Sequence, residues 1–143
     1  LVAFFPTDSF DAVASVEARG FILAGALAFH LEKPLIPVRK YREAYAGKGR
    51  RSSTYRNWQG YDESLVLLEE SQHMDDSVLF VDDVLETGKS MSAAVDLLCH
   101  SMEVVGGFFL LDAAKPEVRN GFQFPVRSLL RRYGLLSNTA PAV

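Results

Sequence analysis

Short apolar runs recur along the chain and are separated by longer stretches of mixed polarity. The runs are rich in β-branched and aromatic residues, as in strands that are buried on both faces of a parallel sheet. Such runs predict strands at 12–16, 34–40, 78–81, 104–111 and 124–130. Because most residues of each run are apolar, we expect the strands to lie inside the domain rather than on its surface.

Two stretches between these runs carry apolar residues at helical spacing, at 21–31 and 91–99. Strands that alternate with helices predict an α/β domain with an open, mostly parallel sheet flanked by helices. The first helix is expected to pack on the sheet through its larger apolar side chains, with small residues allowing close approach. The residues expected to pack are Ile22, Leu23, Ala26, Leu27 and Leu31, and the small residues are Ala24, Gly25 and Ala28.

The segment 41–64 breaks this alternation because it is rich in Gly, Arg, Ser and Tyr and has little apolar periodicity. We call it the lid segment and predict that it forms a flexible β-hairpin. Residues 135–143 are expected to form a frayed tail. The remaining elements form one compact unit, so we predict a single domain over residues 1–143.

Candidate chemistry is concentrated directly after the strand at 78–81, where Asp82 and Asp83 precede a glycine-centred loop. In open α/β sheets, ligands bind at the carboxyl ends of strands, and amide groups at a helix N-terminus attract anions. Thr87 and Ser90 add hydroxyl donors, while Gly88 allows close backbone approach. The two acids can accept hydrogen bonds from vicinal hydroxyls and offer oxygen ligands to a divalent cation. The pattern therefore predicts a site for a phosphorylated sugar.

Two other interpretations suit this loop less well. The ending Gly88-Lys89-Ser90 matches the last three residues of a nucleotide-binding P-loop, but Asp83 stands where that loop requires its first glycine. A carboxylate at that position does not suit backbone that must wrap a triphosphate. A surface turn with solvated acids is the other alternative, although it does not explain why both acids follow a buried strand.

Cations are predicted at the same sheet edge. Arg19 follows the strand at 12–16, and Arg39 and Lys40 end the next strand. Arginine provides forked contacts to phosphate and lysine a point charge. A strand-end cation taken singly is more often a solvated surface charge, so the prediction depends on their shared edge.

Residues 78–98 resemble the phosphoribosyl-pyrophosphate loop of the type I phosphoribosyltransferases. In that family an apolar strand is followed by two acids, two apolar residues and one variable residue. The pattern then continues with Thr-Gly, another variable residue, and Thr or Ser. Residues 16–28 resemble the pyrophosphate loop of that family's adenine branch, and 34–40 resemble its next strand. The resemblance covers about residues 11–133.

The resemblance implies transfer of a phosphoribosyl group from phosphoribosyl pyrophosphate to a purine base, with adenine preferred and Mg²⁺ as cofactor. It also implies a homodimer. Asp82 and Asp83 would hold the ribose and the metal. The implied contacts to the 5-phosphate are Thr87, Gly88, Lys89 and Ser90. The implied contacts to the pyrophosphate are Ala18, Arg19, Gly20, Arg39 and Lys40.

The chain departs from the adenine branch at two positions. Glu86 stands where that branch has a small residue, and it is a candidate base for the incoming purine. The lid glutamate of adenine enzymes has only Gln59 nearby, with Glu63 further on. Two alternatives therefore stay open: a regulatory module that binds phosphoribosyl pyrophosphate without catalysis, and an orotate-type enzyme.

Composition limits the remaining possibilities. A net charge of −3 without a basic stripe argues against nucleic acid as a partner. No membrane segment or signal peptide is expected, and the lone Cys99 is predicted to lie in the core, which suits the cytoplasm. The histidines lack metal-site spacing. Only eleven residues precede the first predicted core strand, so the small N-terminal hood that reads the base in this family is not recognisable.

Overall fold

A computed structural model of the chain describes residues 4–71 and 76–132. Its strands are β1 (Ala12–Val16), β2 (Leu35–Lys40), β3 (Gly49–Arg51), β4 (Tyr55–Arg56), β5 (Asp62–Glu63), β6 (Leu65–Leu68), β7 (Ser77–Leu85), β8 (Glu103–Asp112) and β9 (Val126–Arg131). Its α-helices are α1 (Arg19–His30), α2 (Lys89–Leu98) and α3 (Pro116–Asn120). Short 3₁₀ turns lie at Glu43–Tyr45 and Glu69–Ser71.

Seven strands form the main sheet in the order β3-β6-β2-β1-β7-β8-β9. The pairs from β2 through β1, β7 and β8 to β9 are parallel, whereas β6 is antiparallel to both β2 and β3. All five residues of β1 are buried, which explains why this central strand reads as a continuous apolar run. The predicted mostly parallel α/β sheet is therefore confirmed.

Two hydrophobic clusters cover the two faces of the sheet. The first joins α2 to β1, β2, β6 and β7, and the second joins α1 and the N-terminal Phe5 and Phe10 to the opposite side chains of β1 and β7. Because successive residues of a strand point to opposite faces, Ala12 and Ala14 pack under α2, whereas Val13 packs under α1. The helices thus flank the sheet on both sides.

The packing face of α1 agrees only in part with the prediction: Leu23, Leu27 and Leu31 pack against the second cluster, and the small Ala24 and Ala28 allow close approach. The residues buried in this helix are Gly20, Ala24 and Ala28, whereas Ile22 is 78% exposed and Ala26 is exposed as well. Residues at i, i+4 and i+8 lie on one helical stripe. Small side chains on that stripe bring the helix close to β1 and β7, so the larger residues flank the contact or face solvent.

The lid segment does not form one hairpin. Its β3 joins the main sheet as an edge strand, and only β4 and β5 form a separate two-stranded hairpin, which we call the hairpin. The predicted flexibility is not tested and stays a prediction, and the predicted tail at 135–143 lies outside the described residues. Cys99 is exposed because α2 ends at Leu98, so its predicted core position is wrong. No helix among the described residues is long and apolar enough to span a bilayer.

Candidate active site

A cleft of about 510 Å³ opens at the carboxyl ends of β1, β2 and β7. Its walls are formed by 16–20 after β1, by 82–91 from β7 into α2, and by residues of the hairpin. Lys40 at the end of β2 closes one side. Parallel strands end at the same sheet edge, so segments far apart in sequence meet here.

The loop from β7 to α2 owes its shape to Gly88. This residue precedes the first turn of α2 with a φ of 72°, a left-handed conformation that side chains disfavour. A Cβ atom at Gly88 would lie 2.6 Å from Val118 Cγ1 of α3. The start of α2 at Gly88 and Lys89 lines the cleft, together with the hydroxyl-bearing Thr87 and Ser90. This is an anion-binding arrangement.

Asp82 and Asp83 both line the cleft, because β7 extends past the predicted strand to Leu85. Arg19 Nε lies 2.7 Å from Asp83 Oδ2, and Asp82 Oδ1 accepts a hydrogen bond from the Asp83 amide at 2.8 Å. Burial, together with the neighbouring Asp83 charge, raises the pKa of Asp82 to about 7. The two carboxyl groups thus differ: Asp83 is paired with a cation, whereas Asp82 is deeply placed and easily protonated.

Gly20 allows the loop after β1 to lie directly on this acid pair. A Cβ atom at Gly20 would lie 2.5 Å from Asp82 Oδ1 and would overlap Ser15 Oγ. Ser15 itself is buried, and its hydroxyl has no hydrogen-bond partner within the part of the chain that the structure describes. The predicted residues Ala18 and Arg19 line the cleft beside Gly20, and the Glu17–Ala18 peptide bond is cis.

The two cations that end β2 point in different directions. Lys40 lines the cleft, and its Nζ lies 2.8 Å from Glu63 Oε1. Arg39 is not part of the cleft wall, and its guanidinium lies 6.0 Å from the centroid of the Phe21 ring. Because side chains alternate along a strand, those of Arg39 and Lys40 leave β2 on opposite sides. The structure therefore brings Lys40, and not Arg39, to the acid pair.

Glu17 was missed by the sequence reasoning. Its Oε1 lies 2.7 Å from Arg42 Nη2, and its Oε2 accepts a hydrogen bond from the Lys40 amide at 3.2 Å. These contacts tie the loop after β1 to the end of β2. The sequence feature that could have indicated this role is the position of the acid, between a buried strand and a cationic loop.

Glu63 joins the hairpin to the rest of the cleft. Besides the ion pair with Lys40, its Oε2 accepts a hydrogen bond from the Tyr55 hydroxyl at 2.7 Å. Partial burial opposes ionisation of Glu63, but the hydrogen bonds from Lys40 and Tyr55 outweigh it and lower its pKa. Burial raises the pKa of Tyr55. Glu63 thus serves as a charged anchor at the base of the hairpin.

Glu86 and Gln59 both line the cleft and are exposed. Lys89 lines it as well, at the first position of α2. Except for Arg39, every predicted site residue therefore lies in the wall of one cleft.

The donor set is compatible with Mg²⁺. No group of three or more His, Cys, Asp or Glu residues within the described ranges has the arrangement of a protein-only metal site. Mg²⁺, however, commonly binds one or two carboxylates and takes its other ligands from substrate phosphates and water. Asp82 and Asp83 beside an anion-binding loop provide that arrangement.

Comparisons with known proteins agree with this geometry. Residues 6–119 match the family model described as phosphoribosyl transferase domain. An adenine phosphoribosyltransferase of Salinispora arenicola is 38% identical over 114 residues, which cover 78% of this chain and 57% of the relative. One of Prochlorococcus marinus is 33% identical over 127 residues, covering 86% and 70%. The chain spans 57% to 62% of the length of the first four curated relatives it matches.

Solved structures give the same result. The crystal structure of adenine phosphoribosyltransferase from Saccharomyces cerevisiae, complexed with an imino-altritol bisphosphate and adenine, has a TM-score of 0.78 at 27% identity. That match covers 91% of this chain and 73% of the yeast chain. The enzyme from Thermoanaerobacter pseudethanolicus has a TM-score of 0.73 at 27% identity, covering 85% and 70%.

Proposed function

The chain belongs to the phosphoribosyl transferase domain family, and from this premise we propose that it transfers the 5-phosphoribosyl group of phosphoribosyl pyrophosphate to a purine base, with adenine as the preferred acceptor. The products are a nucleoside monophosphate and pyrophosphate. The observation that supports this proposal best is the meeting of an acid pair, an anion-binding helix start and a cationic loop in one cleft. These are the groups that a ribose, a 5-phosphate and a pyrophosphate require.

The 5-phosphate binds at the start of α2. Backbone amide groups there have no intrahelical acceptors and carry the positive end of the helix dipole. Thr87 and Ser90 contribute hydroxyl groups, and Lys89 contributes a charge near the same helix turn. Because Gly88 has no side chain, the phosphate approaches the backbone closely.

The ribose binds over Asp82 and Asp83. Two adjacent carboxylates accept hydrogen bonds from the two vicinal hydroxyls of the sugar. Arg19 holds Asp83 from one side, so this acid keeps its position before substrate arrives. The acid pair would also hold Mg²⁺, which, when bound, neutralises charge on the pyrophosphate leaving group.

In the transfer step, positive charge develops on the ribose as its bond to pyrophosphate breaks, and negative charge develops on the leaving group. Carboxylates beneath the sugar stabilise the first charge. Arg19 and Lys40, which also line the cleft, stabilise the second, together with the backbone at Ala18 and Gly20. Glu86 lies exposed in the cleft wall, where it can accept the proton that the purine nitrogen releases.

Pyrophosphate release with phosphoribosyl pyrophosphate and Mg²⁺ tests this function directly. Adenine, guanine, hypoxanthine, xanthine and orotate are assayed separately, and donor binding is measured by calorimetry in parallel. We expect turnover with adenine to exceed turnover with every other base. Donor binding without turnover would instead favour a regulatory module, turnover with orotate alone would favour an orotate-type enzyme, and absence of both binding and turnover would refute the assignment.

A cytoplasmic location and a homodimer are further parts of the proposal. The family resemblance supports both, and the lone cysteine of the chain is compatible with a reducing compartment. Sedimentation velocity over a range of protein concentrations tests the dimer. A single species at the monomer mass of 15.8 kDa across that range would refute it.

A further inference from the structure

The loop that joins β4 to β5 presents Trp58 at the wall of the cleft, where 69% of the side chain is exposed. The loop is held by Asn57, whose Oδ1 accepts hydrogen bonds from the amides of Gln59 and Tyr61, each at 3.0 Å. The Asn57 amide also donates to the Tyr61 carbonyl at 2.8 Å. A hydrogen-bonded turn thus keeps a large apolar ring in solvent.

No other residue in the described wall of the cleft offers a comparable surface. Val16, Leu85, Met91 and Phe109 also line it, but they are 5%, 1%, 2% and 1% exposed and belong to the hydrophobic core, while the half-buried Val84 has no planar face. The remaining lining is mostly charged or hydroxyl-bearing and suits the sugar and phosphates. A planar base needs an apolar face, which leaves Trp58 as the available platform.

We propose that Trp58 stacks on the purine acceptor and that Gln59 hydrogen-bonds the edge of the same base. This inference rests on the proposed function and assigns two residues of this chain to its acceptor. The Gln59 amide has one donor and one acceptor group, and it lies beside Trp58 in the cleft wall. At the edge formed by the 6-substituent and N7, adenine offers a matching amine and ring nitrogen, whereas hypoxanthine and guanine offer two acceptors. Gln59 therefore favours adenine.

Fluorescence provides a direct test because Trp58 is the sole tryptophan of the chain. Adenosine monophosphate carries base, ribose and phosphate, whereas ribose 5-phosphate lacks the base. We expect the first to quench the emission and the second to leave it unchanged. Trp58→Ala should weaken binding of adenosine monophosphate by about fivefold or more, and ribose 5-phosphate should bind as before.

Tyr61 supplies a matched control, because it lies in the same loop with the same exposure of 69% but does not line the cleft. Tyr61→Ala should leave both affinities unchanged. Trp58→Phe should retain most of the affinity for adenosine monophosphate, since phenylalanine keeps an aromatic face. An equal loss in Trp58→Ala and Tyr61→Ala would indicate damage to the loop and would overturn the stacking role.

Gln59→Leu tests the second residue. The ratio of kcat/KM for adenine to that for hypoxanthine should fall about tenfold. An unchanged ratio would overturn the role of Gln59. If calorimetry detects binding of adenosine monophosphate but the emission of Trp58 does not change, the stacking proposal fails while the proposed function stands. If neither adenosine monophosphate nor phosphoribosyl pyrophosphate binds, the proposed function fails as well.

Discussion

Replacing Gly88 with alanine adds a methyl group at a position where the backbone and a neighbouring side chain both oppose it. The φ of 72° disfavours any side chain, at a cost of about 1–2 kcal/mol. The new Cβ would also lie 2.6 Å from Val118 Cγ1, well inside the usual carbon–carbon contact of about 3.5–4.0 Å. Overpacking of this kind costs about 1–3 kcal/mol. Gly88→Ala should therefore lower the free energy of unfolding by about 2–5 kcal/mol.

Gly47→Ala distinguishes the cost of the left-handed backbone from the cost of the steric overlap. Its φ is 71°, nearly that of Gly88, but no atom lies within 4 Å of the position where its Cβ would be. Gly47→Ala should therefore cost only the backbone term, about 1–2 kcal/mol. Removing the neighbour gives a second control: in a Val118→Ala background, Gly88→Ala should cost no more than Gly47→Ala.

The assay is urea unfolding of the ligand-free chain, followed by far-UV circular dichroism, with the midpoint compared at constant m-value. Equal destabilisation by Gly88→Ala and Gly47→Ala would refute the packing argument. A Gly88→Ala cost that persists unchanged in the Val118→Ala background would refute it too. Calorimetric titration of each folded variant with phosphoribosyl pyrophosphate then shows how far the distorted loop weakens phosphate binding, which we expect only for Gly88→Ala.

Three further predictions concern the acids of the cleft. Replacing both Asp82 and Asp83 with asparagine should weaken binding of phosphoribosyl pyrophosphate at least about tenfold by calorimetry, and unchanged affinity in a folded variant would refute their role. Glu86→Gln should lower kcat by about 10²- to 10⁴-fold with little change in KM; an unaltered rate would exclude it as the base. Without Mg²⁺, Asp82 should lower the free energy of unfolding as pH rises from 3.8 to about 7, because the folded chain keeps a proton that the unfolded chain has released. Urea unfolding across that range should show a flatter profile for Asp82→Asn, and an unchanged profile would contradict the raised pKa.

The strand, acid pair and glycine loop at 78–98 could be predicted because each depends on local chemistry. The conformation of a buried run, two acids and a left-handed glycine depends mainly on these residues themselves and little on contacts with distant segments. Even so, the end of the strand was placed too early, since β7 continues through the acids to Leu85. Pairing with β8 decides that length, and apolarity alone does not reveal it.

Most of the features that were not predicted depend on contacts between segments that are distant in the sequence. Side-chain alternation along β2 was available in the sequence and separates Arg39 from Lys40. The small residues Ala24 and Ala28 were predicted to let α1 approach the sheet, whereas the exposure of Ile22 was not predicted, because it depends on how α1 is rotated on the sheet. Glu63 and Trp58 enter the cleft only through the register of the hairpin, which contacts between distant segments determine.

The order of strands has a consequence for synthesis of the chain. The central strand β1 is completed well before its partner β7, because Asp11 and Ser77, beside their starts, are 66 positions apart. At translation rates of roughly 5–20 residues per second, the ribosome needs on the order of several seconds to supply the missing strand. During that interval β1 and β2 have an open, apolar edge. A chaperone that covers this edge should therefore raise the yield of folded protein more than one that acts after release.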